Sequence, residues 1–468
     1  MATQLEAATI PLDPAVRHGR LDNGLSYYLL QNGSPGGNLE LSLVVGVGSL
    51  EQRALGDGVA HFLEHMLFNG TEVFPGNELG RVLQRLGVEL GPDLNAYTTC
   101  ESTVYQLRVK TNDADAVEVA FDVLDQWASA VTLEPTAVEA ERGVVLDEYR
   151  SKESVEGIIT DHFDRVYTKG SVYAGCDPIG TREAIQTVGV PALRDFYDHW
   201  YRPDLMAVVA VGDQPVDLLE EMVVSRFADN QARSSHPVPV RRWAEPLTRI
   251  VVESITHQDV SSPFVSVDYS LPPRRRGTGA GEKAFLLDSF IADLLQEHLD
   301  AQVGTGRLPI IRPYSTTFNH TSVHPFLGFN FVAEDPPRAL EIFLSELRGL
   351  AHHGFRSVVV ERLRKDYVRH LDQQSVELAT LQDHERVGVL IEHILFGWSA
   401  EAPAARIERL QSIISTFTAD VVNGRFAEVL EASAPLVIVV GNDPTTQPTT
   451  GDLEAAVSRS REGEAVTP

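Results

Sequence analysis

Residues 206–213 read MAVVAVGD, and residues 436–443 read LVIVVGND. Each is an apolar run rich in β-branched residues that closes on a Gly/Asn/Asp turn, the pattern of a strand buried on both faces. Gly212 and Gly441 lie 229 positions apart (441 − 212), so two halves of the chain end on the same strand and turn. This points to an α+β unit used twice, with domains expected at 1–228 and 249–445. Residues 229–248 carry Pro237, Pro239 and Pro246 with little periodicity and read as a linker. Residues 446–468, rich in Thr, Ser and charge, read as a mobile tail.

Working back from the first of these strands, residues 24–32 (GLSYYLLQN) and 38–49 (NLELSLVVGVGS) are strand-like and flank the turn-former NGSPGGN. Helical periodicity covers 57–70 and 76–88, then breaks at Gly91-Pro92. Residues 94–110, LNAYTTCESTVYQLRVK, alternate as a pair of antiparallel strands, and 113–150 are helical around a stop at Pro135. In the second half, 282–303 and 337–372 are helical, with His352-His353 before Gly354 forming a helix C-terminus.

The chain has 468 residues, and 39 Lys+Arg against 66 Asp+Glu leave a net charge of −27. Nucleic acid is excluded as the main partner, because phosphate binding needs a basic footprint. Arg274-Arg275-Arg276 beside GTGAG lacks a following G-K-[ST] and reads as a solvated loop, not a phosphate cradle. Cys100 and Cys176 match no zinc-ribbon spacing and are expected to be ordinary thiols. The longest apolar runs fall far below the ~18–20 residues of a membrane span. With no charged and apolar leader in the first twenty residues, a soluble, cytoplasmic protein is expected.

The chemistry is concentrated at His61-Phe62-Leu63-Glu64-His65. On a helix, positions i and i+4 share a face one turn apart, so both imidazoles can reach one metal ion. Two neutral imidazoles suit Zn²⁺, and Glu64 is placed to act as general base on water. An open catalytic site needs a third ligand from another element. Glu141 and Glu148 are seven residues apart, two helical turns, and share a face. Glu148 is read as the ligand and Glu141 as the group that orients a histidine.

Three blocks, HFLEHMLFNGT, LNAYTTCESTVYQL and ERGVVLDEYR, together resemble the pitrilysin/insulysin family of inverted-motif zinc metallopeptidases, which includes the mitochondrial processing peptidases. The resemblance spans the first half in order and the second half more weakly. It implies one Zn²⁺ per chain on His61, His65 and Glu148, with Glu64 as base and Glu141 in support. It implies a fold of two homologous α+β domains, each an antiparallel sheet backed by helices. It also implies that Asn95, Ala96 and Tyr97 form an edge strand to which a peptide adds through its backbone.

Family members usually carry an Arg and a Tyr in the later half that bind substrate. Arg307, Arg312 and Tyr314 have that chemistry, but the R-x-x-x-G-x-x-Y arrangement is missing. The chain therefore resembles one zinc-bearing half of a clamshell. Its expected mate is a separate family subunit carrying the Arg/Tyr pair, with a homodimer as second choice. The expected function is a zinc endopeptidase acting on unstructured peptides. The alternatives are a non-proteolytic assembly or scaffold subunit that keeps the zinc site, and a zinc hydrolase of another kind.

Overall fold

A computed structural model describes residues 9–52, 57–237, 246–261, 263–272, 277–311, 316–319 and 325–462. The first half contains β1 (Arg17–Arg20), β2 (Ser26–Gln31), β3 (Asn38–Val45), β4 (Leu94–Thr98), β5 (Thr103–Lys110) and β6 (Met206–Gly212). Its helices are α1 (Val59–Leu67), α2 (Glu78–Arg85), α3 (Ala114–Ser129), α4 (Pro135–Tyr149), α5 (Val155–Tyr167), α6 (Arg182–Thr187), α7 (Val190–Trp200) and α8 (Val216–Phe227). The second half contains β7 (Val251–Thr256), β8 (Phe264–Ser270), β9 (Thr316–Asn319), β10 (Phe326–Phe331) and β11 (Pro435–Gly441). Its helices are α9 (Gly279–Gly304), α10 (Pro336–His353), α11 (Ser357–Ala379), α12 (Asp383–Phe396), α13 (Pro403–Ser415), α14 (Ala419–Ala432) and α15 (Thr450–Glu462).

The two sheets run β1-β2-β6-β3-β5-β4 and β7-β11-β8-β10-β9. Apart from β1 their strand orders correspond one for one, and each carries its one parallel pair among the described strands in the same place: β2 with β6, and β7 with β11. Shared topology of this kind supports the duplication far better than two similar strands do. Each sheet is antiparallel except where the last strand of its half inserts beside the first long one.

The uniformly apolar β6 and β11 are buried along their full length because both faces of each sheet are covered. Val208 and Ala210 face the large core beneath α1, α3 and α7, while Ala207, Val209 and Val211 face the other way. That second face is covered from the other half of the chain. Val387, Leu390 and Ile391 of α12 pack on it. In return, Val155, Ile159 and Phe163 of α5 cover the outer face of the second sheet at Leu436, Ile438 and Val440. Phe163 stacks on Phe264 (6.4 Å between centroids) and Tyr167 on Phe326 (5.3 Å). The halves thus exchange one helix each.

Three expectations change. The tail is ordered through α15, whose Leu453, Ala456 and Val457 are buried in the second core, because its small and apolar residues recur at helical spacing. Cys100 and Cys176 are disulfide-bonded, with Cα atoms 6.1 Å apart; the fold brings together residues 76 positions apart. The helical stretch expected over 337–372 is two helices, divided at Gly354 (φ 76°), where the helix C-terminus expected after His352-His353 does fall. Part of the expected linker, residues 238–245, lies outside the described residues. What precedes it is tied to the first half, where Arg233 lies 4.9 Å over the Tyr197 ring. Arg274–Arg276, Arg312 and Tyr314 also lie outside the described residues.

Candidate metal centre and its cavity

Helix α1 starts at Gly58, which sits at φ 77° with the Ile179 carbonyl oxygen only 2.6 Å from where a Cβ would stand. Only glycine meets both demands. Phe62, Leu63, Met66 and Leu67 anchor the inner face of the helix in the core, and the Trp127 indole N–H donates to the Leu67 carbonyl at 3.0 Å. His61, Glu64 and His65 are left on one stripe, with ligand atoms that all lie within 4.8 Å of one another.

Helix α4 brings up the carboxylates. It is pinned by Arg142, which donates to the Ile185 and Val188 carbonyls and lies over Phe62 at 5.7 Å. Glu148 faces the two Nε2 atoms from its two oxygens, at 3.4 Å from His61 and 3.2 Å from His65. Glu141 approaches His65 from behind, accepting from Nδ1 at 2.8 Å. A carboxylate only accepts, so this bond keeps a proton on His65 Nδ1; the second proton of the imidazolium sits on Nε2 toward Glu148, and Nε2 is the nitrogen freed for an ion when that proton leaves. Asn69 donates to the other Glu141 oxygen at 2.7 Å and holds the carboxylate in turn.

The electrostatics follow from this geometry. Hydrogen bonds from His61 and His65 hold the Glu148 carboxyl well below the usual range. Burial works against the His65 cation, but the bonds to Glu141 and Glu148 outweigh it and hold the imidazole up at about 9. Burial pushes Glu64 upward, since only 6 % of the residue is exposed. Two imidazoles and a carboxylate converging through Nε2 and oxygen are a donor set that fits Zn²⁺.

Beside this group runs β4, the end strand of its sheet. Among the described strands it pairs with β5, through Asn95↔Gln106, Ala96↔Tyr105 and Tyr97↔Val104. Asn95, Ala96 and Tyr97 line the same cavity as His61, Glu64, His65 and Glu148, a space of about 1330 Å³. The residues expected at the metal centre and at the peptide-binding edge, His61, Glu64, His65, Glu141, Glu148, Asn95, Ala96 and Tyr97, are therefore brought together. Arg307 is exposed and does not line the cavity.

Sequence reasoning missed five contributors. Asn69 and Thr98 fall inside the quoted blocks but carry no signal of their own until their partners are known. The Cys100–Cys176 bridge ties the β4–β5 turn to the loop of Tyr173, whose hydroxyl donates to Glu101. Phe396 and Trp398, from the second half, close one wall of the cavity.

Comparison with known proteins agrees with this arrangement. Residues 27–166 match the Insulinase family (Peptidase family M16), and residues 187–367 match the Peptidase M16 inactive domain. The probable zinc protease PqqL of Haemophilus influenzae is 33 % identical over 299 residues, which are 62 % of this chain and 31 % of that protein. The first half of the periplasmic protease PqqL from Escherichia coli superposes with a TM-score of 0.90 at 22 % identity, covering 98 % of this chain and 100 % of that one. Against the structure of the periplasmic protease PqqL itself the TM-score is 0.89, with 97 % of this chain and 50 % of that one covered. The chain thus spans half or less of the PqqL proteins it matches. With both domain types matched in order across its two duplicated sheets, the chain belongs to peptidase family M16, the pitrilysin/insulinase family.

Proposed function

We propose that this chain is the zinc-bearing half of an endopeptidase that cuts extended peptides. The observation that carries the reading is the convergence of the His61 and His65 Nε2 atoms on Glu148 with Glu64 alongside. His61, His65 and Glu148 would hold the ion, and Zn²⁺ there supplies Lewis acidity that polarises a carbonyl and acidifies water. Glu64 takes the proton of the attacking water and delivers it to the leaving amine. Its burial raises its proton affinity, as both transfers require. Glu141 keeps His65 in the tautomer that leaves Nε2 open. The free edge of β4 at Asn95–Tyr97 lays the peptide across the site by backbone pairing, so chain conformation matters more than side-chain identity.

A second half of the same family, carrying the Arg/Tyr pair, completes the chamber; the expectation from sequence is a separate subunit. The Cys100–Cys176 disulfide favours an oxidising compartment over the cytoplasm expected from the amino terminus. A buried Glu64 beside the donor set speaks against a scaffold subunit, which has no use for a base.

The test is zinc content and cleavage of a quenched peptide library by wild type and Glu64→Gln, each alone and with the candidate second half. Zinc bound by both proteins, with cleavage by wild type only, is expected. Zinc bound without cleavage in every combination overturns the reading.

A further inference from the structure

We infer that Thr98 is a positioning residue for the general base: its hydroxyl holds one oxygen of Glu64, so that the other meets the water and the leaving amine. The inference rests on the peptidase reading above. Thr98 is the last residue of β4, and along that strand Leu94, Ala96 and Thr98 turn inward while Asn95 and Tyr97 are exposed. The inward row faces α1, and Thr98 Oγ1 donates to Glu64 Oε2 at 2.5 Å.

This is the one side-chain hydrogen bond described for the Glu64 carboxylate. Without it the carboxylate is free to rotate toward His61 and His65, which attract it. A threonine suits the task. Its branched Cβ restricts χ1, so the hydroxyl is held in one direction at little entropic cost. A hydroxyl also donates to an ionised carboxylate without adding a charge that would compete for the ion.

The strand that carries Thr98 is the strand to which substrate would add. Seating a peptide on Asn95–Tyr97 therefore tightens the same element that aims the base. Beyond Thr98, the turn is anchored by the Cys100–Cys176 bridge and by the Thr99 N–H bond to the Ser102 carbonyl at 2.8 Å, so the end of the strand that carries the hydroxyl is held.

Thr98→Val keeps the shape and removes the donor, and Thr98→Ser keeps the donor. On a quenched peptide, with the second half present, Thr98→Val is expected to lower kcat by about 10- to 100-fold. KM and zinc content stay unchanged, and Thr98→Ser stays within about threefold of wild type. Crystal structures of the zinc-loaded proteins give a readout independent of turnover: the Glu64 carboxylate is rotated in Thr98→Val and unmoved in Thr98→Ser. Wild-type kcat in Thr98→Val, equal losses in both variants, or an unmoved carboxylate in Thr98→Val overturns the inference. A wild type that binds zinc and cleaves nothing overturns the peptidase reading instead, and the carboxylate position still judges the role of Thr98.

Discussion

Glu141 and Glu148 lie on one helix face two turns apart, yet they meet the same histidine on opposite nitrogens. Glu148 reaches Nε2 and Glu141 reaches Nδ1. Only the first is on the side where His61 Nε2 also points. On the proposed metal site, removing Glu148 would therefore delete a donor, and removing Glu141 would delete a support. Glu141→Gln is expected to weaken zinc binding by about 10- to 100-fold, and Glu148→Gln by more, in chelator competition. The reverse order would exchange the two roles. Asn69→Ala should shift affinity in the same direction as Glu141→Gln and by less, since it frees one oxygen of a carboxylate that still holds His65.

At the scale of elements, the exchanged helices decide how the sheets are covered. Leu390 of α12 is 3 % exposed and packs against valines of β3, β5 and β6, some 180 to 350 residues away along the chain. Leu390→Ala is expected to cost about 2–5 kcal/mol. Its signature is faster amide exchange in β3 and β6 of the first half, although the substitution lies in the second. Exchange confined to the second half would show that α12 does not support the first sheet.

The mirror contact, α5 on the second sheet, contains a titrating group. The Tyr167 hydroxyl donates to Asp268 at 2.7 Å and Ser266 adds 2.8 Å, while burial pushes the Asp268 carboxyl up to about 7. Its folded value is above its unfolded value of about 4, so the folded protein keeps a proton that the unfolded chain has lost across that window. Stability from this group is present below about 4 and is lost as pH rises to about 7, at about 1.4 kcal/mol per pH unit. The melting temperature of Asp268→Asn is expected to gain on wild type between these limits and to run parallel above. Parallel curves throughout would remove Asp268 from the balance.

For the whole molecule, the reciprocal exchange makes the halves interdependent. A chain ending at residue 237 leaves the outer face of β6, at Ala207, Val209 and Val211, uncovered by α12. Exposed apolar sheet faces aggregate. Such a fragment is expected to be insoluble alone and rescued by co-expression of residues 246–462, read as soluble yield. A soluble, monomeric fragment would show the halves to be independent. The net charge of −27 does not leave the cavity wall a bare acidic surface, because Asp161 pairs with Arg165 and Asp177 with Lys152. The volume of about 1330 Å³ is shaped by both halves, since Tyr167 and Phe326 meet at its wall.

The sequence by itself determined what is local. The His61, Glu64 and His65 stripe follows from helical spacing, the β4–β5 pair from alternation, and the last strand of each half from an apolar run that only two-sided burial tolerates. Glu141 and Glu148 were legible as a pair for the same reason. Only the tertiary structure decided what depends on contacts between distant segments: the insertion of β6 and β11 parallel to the first long strands, the exchange of α5 and α12, the Cys100–Cys176 bridge, and the bond from Thr98 to Glu64. Periodicity tells which face of an element is buried. It carries no information about which partner, near or distant in the chain, does the burying.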